Sequence, residues 1–98
     1  MSNILKEKGI ELPSVEKVDN ETNPLAIAHF SNDKWDWYVL GGKELSNGDV
    51  SIFGLVNGYD KELGFFLLSE IIRNGAIFDD EFSPIGVFDI YEDFDLRY

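Results

Sequence analysis

His29 is the only histidine in the 98-residue sequence, and its side chain is the one best suited to acid–base chemistry near neutral pH. It lies in the apolar run LAIAHF, and the sequence contains no cysteine to join it in a metal site. A small hydrolase or nuclease would pair this imidazole with a carboxylate, for which Asp36 and Glu70 are the candidates. Because a histidine in an apolar strand is more often hydrogen-bonded or facing solvent, the enzyme is kept as the alternative hypothesis.

A second group of candidate chemical residues consists of three adjacent carboxylates, Asp79, Asp80 and Glu81. Such carboxylates can bind a metal ion or act as an acid and base pair. Adjacent acids on an extended chain point to opposite faces, and the sequence has no calcium loop of the Asp-x-Asp-x-Asp-Gly type. The glycines match neither a phosphate-binding loop nor a dinucleotide-binding fingerprint. We therefore expect a solvated loop at these residues, and no metal, cofactor or catalytic residue in the protein.

Negative charge is the outlying property of the composition. The sequence has 19 acidic and 8 basic residues, a formal net charge of -11 and a pI near 4.2. Such a charge repels nucleic acids and anionic membranes and attracts basic protein surfaces. Trp35 and Trp37 are suited to stacking on nucleobases, but that function needs a cationic groove, and Lys34 is the only basic residue close to them in sequence. These tryptophans are therefore expected to pack in the core.

The acidic excess is greatest near the C-terminal end of the sequence, where carboxylates alternate with aromatic residues. In a helix, spacings of i, i+4, i+7 and i+11 would place on one side Val87, Tyr91, Phe94 and Tyr98. The opposite side would carry Asp89, Glu92 and Asp93. A strand would mix these two groups, so the pattern predicts a helix.

We expect this acidic segment to bind a basic protein surface; an acidic skin that only keeps the protein soluble is the competing interpretation. Like charges three or four residues apart destabilise a helix by about 0.2–0.5 kcal/mol per pair, and solubility needs a net charge of only about 2–8. Carboxylates about 5–6 Å apart would suit a groove for a nucleic-acid backbone, with aromatic rings as anchors. The predicted partner-binding residues are Asp79, Asp80, Glu81, Asp89, Tyr91, Glu92, Asp93, Asp95 and Tyr98.

The pattern of apolar residues predicts an α+β fold, a four-stranded antiparallel meander with a short N-terminal helix and C-terminal helical segments packed on it. The strands are predicted at 25–30, 35–42, 50–59 and 64–68. A short helix within 3–13 precedes them, and a helix over 70–74 follows a Ser69 cap and ends at Gly75. Residues 14–24 are expected to be a polar connection, and 60–63 a turn.

Alternation in the second strand assigns its side chains to two faces. Trp35, Trp37 and Val39 are expected to face the core, and the opposite face carries Asp36, Tyr38 and Leu40. Residues 1–98 are expected to form a single domain, in which the acidic and aromatic segment 76–98 has a role of its own.

Five short blocks occur in an order that resembles a family of small domains of unknown function from phages, plasmids and integrative elements. They include a Trp-x-Trp-Tyr-Val strand, a Phe-Gly-Leu-Val run and a Glu-Leu-Gly segment, and they lie at 12–13, 28–30, 35–39, 53–56 and 62–71. The sequence departs from the family pattern after Arg73. The resemblance transfers no catalytic residue; it implies an origin in mobile elements, whose small acidic proteins often disarm host defences.

The leading hypothesis is therefore a non-enzymatic inhibitor from a phage or mobile element that blocks the basic nucleic-acid channel of a host defence nuclease. An anti-CRISPR protein acting on a Cas effector is its specific form, and an antirestriction protein is closely related. A module that binds a protein of the mobile element itself, as an antitoxin binds its toxin, is a further alternative. Since no stretch approaches the roughly 20 apolar residues of a membrane span, the expected location is the bacterial cytoplasm.

Overall fold

A computed structural model describes residues 3–93 of the chain, and the side chains of residues 3–90. The helices in this part are α1 (Ile4–Glu7), α2 (Val15–Asp19), α3 (Leu68–Arg73) and α4 (Val87–Asp93). The strands are β1 (Leu25–Ala26), β2 (Ala28–Ser31), β3 (Asp36–Glu44), β4 (Val50–Asn57), β5 (Lys61–Leu67), β6 (Ile77–Phe78) and β7 (Ile85–Gly86). The fold is thus α+β, with antiparallel sheets and short helices, as the sequence predicts. No helix among these is long and apolar enough to cross a membrane.

The main sheet has five strands in the order β5-β4-β3-β2-β6. The predicted hairpin is confirmed, because β2 and β3 pair antiparallel with Phe30 opposite Trp37. The predicted number of four strands is wrong, since β6 adds a fifth by pairing Phe78 with Phe30. A strand of two residues is too short to show an alternating pattern, so sequence reasoning could not detect β6.

Both faces of this sheet are buried at β3. The face that carries Trp37 and Val39, here called the tryptophan face, packs against α1 and α3, and both side chains are buried as predicted. The opposite face, here called the tyrosine face, carries Tyr38 and Leu40, and these are buried in a second cluster. Alternation identified the two faces of β3, but it did not show that the second face also has a cover.

The cover of the tyrosine face comes partly from residues 14–24, which the sequence predicted to be a polar connection. They include α2, which has Ser14 as its N-cap. The backbone N–H of Lys17 donates a hydrogen bond to the Ser14 hydroxyl oxygen at 3.2 Å. Val18 is buried on this face. A helix of five residues with one buried side chain has too little apolar periodicity to be recognised in sequence.

The predicted strand at 25–30 is divided in two. Its first part, β1, pairs with β7 in a separate two-stranded sheet, in which Leu25 lies opposite Gly86. Its second part, β2, belongs to the main sheet. The chain therefore changes sheets at Ile27, whose N–H still donates to the Val39 carbonyl at 2.8 Å.

The ends of α3 show one wrong prediction and one confirmed prediction. The residue at the N-cap is Leu67, which makes no side-chain cap, so Ser69 is not the capping residue. Gly75 follows the C-cap with a φ of 84°, the left-handed conformation that glycine adopts without strain.

The turn expected at 60–63 is displaced, because β5 already begins at Lys61.

The predicted helix near the C-terminal end begins at Val87, as α4. Val87 and Ile90 are buried on the tyrosine face, and Asp89 between them is exposed. In this first turn the helix buries Val87 and Ile90, and both Asp89 and the Phe88 ring are exposed. The side chains of 91–93 and all of residues 94–98 lie outside the part of the chain that the structure describes.

Candidate functional site

His29 is held between two carboxylates on the tyrosine face. Its Nε2 lies 2.8 Å from Oδ1 of Asp36 on β3, and its Nδ1 lies 2.9 Å from Oδ2 of Asp79, which follows β6. The imidazole stacks on the Tyr38 ring, with centroids 4.5 Å apart and planes 18° apart, and the Phe82 ring lies at 5.6 Å. The cluster thus joins two strands and the loop after β6 around one partly buried ring.

This arrangement constrains the chemistry of the imidazole. A neutral histidine has one N–H, so His29 can donate to both carboxylates only as the imidazolium ion. With a carboxylate on each ring nitrogen, neither nitrogen is free to accept a proton from a substrate. The geometry therefore favours a structural role for His29 over a role as a general base.

The two carboxylates proposed as partners for a catalytic His29 differ in position. Asp36 does contact the ring, so sequence reasoning identified one of the two carboxylate neighbours of His29. The Glu70 side chain lies instead beside Trp37, on the tryptophan face and thus across the sheet from His29. Glu70 and His29 therefore do not form a pair, and the absence of catalysis remains a prediction.

The pKa of Asp79 is shifted below its ordinary value of 3.8. The main cause is the hydrogen bond from His29, and partial burial opposes it. The Glu81 backbone N–H adds a further hydrogen bond to Oδ1, at 3.0 Å. The ionised form of this carboxyl group is therefore the one that the fold stabilises.

This shift predicts a dependence of stability on pH. Because the pKa of Asp79 is lower in the folded state, its contribution is fully present above pH 3.8 and is lost as the pH falls through the folded value. The variant Asp79→Asn should be less stable than wild type near pH 6 and should lose less stability on acidification. Urea unfolding of both proteins between pH 6 and about pH 2.5 measures this difference. Parallel curves for the two proteins would contradict it.

Asp49 is a second acidic group with a structural role, which sequence reasoning missed. It is buried, and its Oδ1 accepts hydrogen bonds from the backbone N–H groups of Val50, at 2.8 Å, and Ser69, at 3.1 Å. The Ser69 hydroxyl donates to Oδ2 at 2.5 Å. These contacts, led by the Ser69 hydroxyl, hold the pKa of Asp49 below its ordinary value. Asp49 therefore accepts a hydrogen bond from a backbone N–H in the first turn of α3, as a capping residue would. Because it lies twenty residues before Ser69, no local capping motif in the sequence indicates this contact.

The predicted partner-binding residues have different environments. Asp79 belongs to the His29 cluster, and Asp80 forms an ion pair with Lys8, whose Nζ lies 2.8 Å from Oδ1. Glu81 and Asp89 are exposed, in the loop before β7 and on α4. The others lie outside the described side chains, namely Tyr91, Glu92, Asp93, Asp95 and Tyr98.

A groove on the tryptophan face is the site that sequence reasoning did not predict. It encloses about 340 Å³ between the sheet and α3, and its aromatic walls are Trp35, Trp37 and Phe66. Its polar residues are Asn32, Glu70 and Asn74. The three rings come from β3, the turn before it and β5, so no single stretch of sequence shows that they line one groove.

Among the residues whose side chains are described, no group of three or more His, Asp or Glu is arranged to hold a metal ion. A scan against protein-family models found no matching family, and searches of curated proteins and of solved structures found no match. The resemblance to domains from mobile elements therefore remains a prediction.

Proposed function

We propose that the protein is a non-enzymatic acidic inhibitor that binds the basic nucleic-acid-binding surface of a host defence nuclease, as an anti-CRISPR or antirestriction protein does. The observation that carries the proposal is the arrangement of α4, which anchors Val87 and Ile90 in the core and leaves Asp89 exposed. An acidic side chain on a helix that is fixed in this way has a defined position, which a solubilising tail would not need.

The balance of surface charge supports a basic partner. Lys8 is already paired with Asp80, and Lys6 lies 3.8 Å from Glu44. Exposed carboxylates remain in several parts of the fold, among them Glu16, Asp33, Glu62, Glu70, Glu81 and Asp89. With a net charge of -11, the protein has a field that accelerates encounter with a positively charged groove and repels nucleic acid.

An aromatic side chain beside the acidic helix surface supports a binding role. Phe88 precedes Asp89 on α4, and its side chain is 52% exposed. Interfaces obtain most of their affinity from aromatic side chains that become buried on binding, whereas charges steer association and select the partner. An exposed ring next to a carboxylate combines both contributions in a small area.

Removing charge from α4 should slow association with such a partner. The combined variant Asp89→Asn, Glu92→Gln and Asp93→Asn should associate more slowly than wild type at low salt, and the difference should shrink at high salt because exposed charges are screened over about 8 Å at physiological ionic strength. Association rates with a Cas effector–guide complex, measured at several salt concentrations, test this.

The control variant removes three exposed carboxylates outside α4, by Glu16→Gln, Asp33→Asn and Asp19→Asn. It has the same net charge as the α4 variant, so any difference between the two reflects the position of the charges. Equal association rates for both variants at every salt concentration would mean that α4 is not the contact surface.

A further inference from the structure

We propose that the groove on the tryptophan face, on the opposite side of the sheet from α4, binds an arginine side chain of the same basic partner. The inference rests on the proposed function, because the arginine would come from that partner. The preference for arginine follows from the residues that line the groove. The Trp35 and Trp37 rings line it with their centroids 6.0 Å apart and their planes 19° apart. Tyr59, 93% exposed, meets Trp35 edge to face at 5.7 Å.

Two glycines lie next to this groove, one on β4 and one on β5. Gly54 and Gly64 are paired neighbours on the tryptophan face, beside the pair formed by Val56 and Glu62. A Cβ atom added at Gly64 would have no heavy atom within 4 Å. The space beside Phe66 on β5 is therefore accessible to a group from outside.

One carboxylate lines the groove and gives it negative charge, and a second lies next to a lining residue. Glu70 lines it from α3, and Glu62 lies opposite Val56, a residue that also lines it. Both glutamates are exposed, and within residues 3–90 neither forms a salt bridge. An aromatic groove with unpaired negative charge favours a cation and disfavours a phosphate or a nucleotide.

The shape of the groove favours a guanidinium group among the cations. A guanidinium is planar, so it can stack on an indole ring and still donate two hydrogen bonds to one carboxylate. Asn32 holds the rim of the groove in place. Its side-chain Nδ2 donates to the Asn74 backbone carbonyl at 2.9 Å, and its Oδ1 accepts from the backbone N–H of Trp35 at 2.8 Å. This part of the rim is therefore already positioned before a cation binds.

The test is a titration with the blocked tripeptide Gly-Arg-Gly, followed by NMR of the two indole N–H signals, which come from the two tryptophans of the sequence. Both signals should shift and saturate with this peptide. The matched peptide with citrulline in place of arginine keeps the shape and removes the charge, and it should cause no saturable shift. The variant Glu70→Gln should bind the arginine peptide about three- to fivefold more weakly, the effect of one exposed ion pair.

The control variant is Glu16→Gln, which makes the same change of charge on α2, at an exposed position that does not line the groove. It should bind the arginine peptide as wild type does. The proposal is overturned if the indole signals do not shift, if citrulline binds as well as arginine, or if Glu70→Gln binds like wild type. Because the probe is a peptide, these outcomes are independent of whether any nuclease is inhibited, which the association measurements on α4 decide.

Discussion

Replacing Gly54 with alanine is expected to lower the free energy of unfolding by about 3 kcal/mol or more, because two backbones approach each other too closely for a side chain. Gly54 lies on β4 opposite Val39, next to the irregularity in β3 between Val39 and Gly41. A Cβ atom at this position would overlap the Tyr38 carbonyl oxygen and would also crowd the Phe66 ring. Since a carbonyl group cannot move as a flexible side chain can, β3 and β4 would have to separate.

The control is Gly64→Ala, in the same row of the same sheet. Gly64 pairs directly with Gly54, but its added methyl group would occupy open space. This variant should be neutral or more stable by about 0.4–1 kcal/mol, because alanine restricts the unfolded chain. Urea unfolding of both variants measures the contrast. Equal stabilities would mean that β3 and β4 do not approach each other as described.

Replacing Trp37 with alanine is expected to cost about 3–5 kcal/mol, the usual range for emptying a buried aromatic site. Trp37 is 6% exposed and packs with Phe30 and Phe66 in the core of the tryptophan face. The cavity would be left between the sheet and α3, which lies over this core. Thermal and urea unfolding of the variant measure the loss.

Tyr59→Ala is the control for this variant, because Tyr59 is an aromatic residue of similar size that is 93% exposed. It should change stability by no more than about 0.5 kcal/mol. Asp36→Ala, in the same strand, is not a suitable control, since Asp36 accepts a hydrogen bond from His29. If Trp37→Ala and Tyr59→Ala melt at the same temperature, the assignment of the tryptophan face to the core is wrong.

The parts of the fold that could be predicted from sequence are those specified by local patterns. Alternation placed Trp37 and Val39 in the core, the turn residues between 30 and 35 predicted the first hairpin, and helical spacing predicted a helix that includes Val87. The parts that were missed depend on contacts between distant segments. Strand β6 exists through its pairing with Phe30, and α2 is recognisable mainly by what Val18 covers.

The same distinction applies to the functional residues. Exposed acids such as Glu81 and Asp89 could be expected from composition and helical period. The hydrogen bond between Asp79 and His29 joins residues fifty positions apart, so the sequence could not show that this acid has an internal partner. The groove depends on the packing of α3 against the sheet, and Glu70 becomes part of a site only through that packing.

The central claim is that the protein competes with nucleic acid for a basic surface on a defence nuclease. The most direct measurement is fluorescence anisotropy of labelled cognate DNA on a panel of Cas effector–guide complexes and restriction endonucleases, with and without the protein. We expect the protein to prevent DNA binding by at least one of them, the α4 charge variant to do so less well, and the matched charge control to act as wild type does. DNA binding that is unaffected across the panel, or that both variants prevent as well as wild type, would contradict the claim.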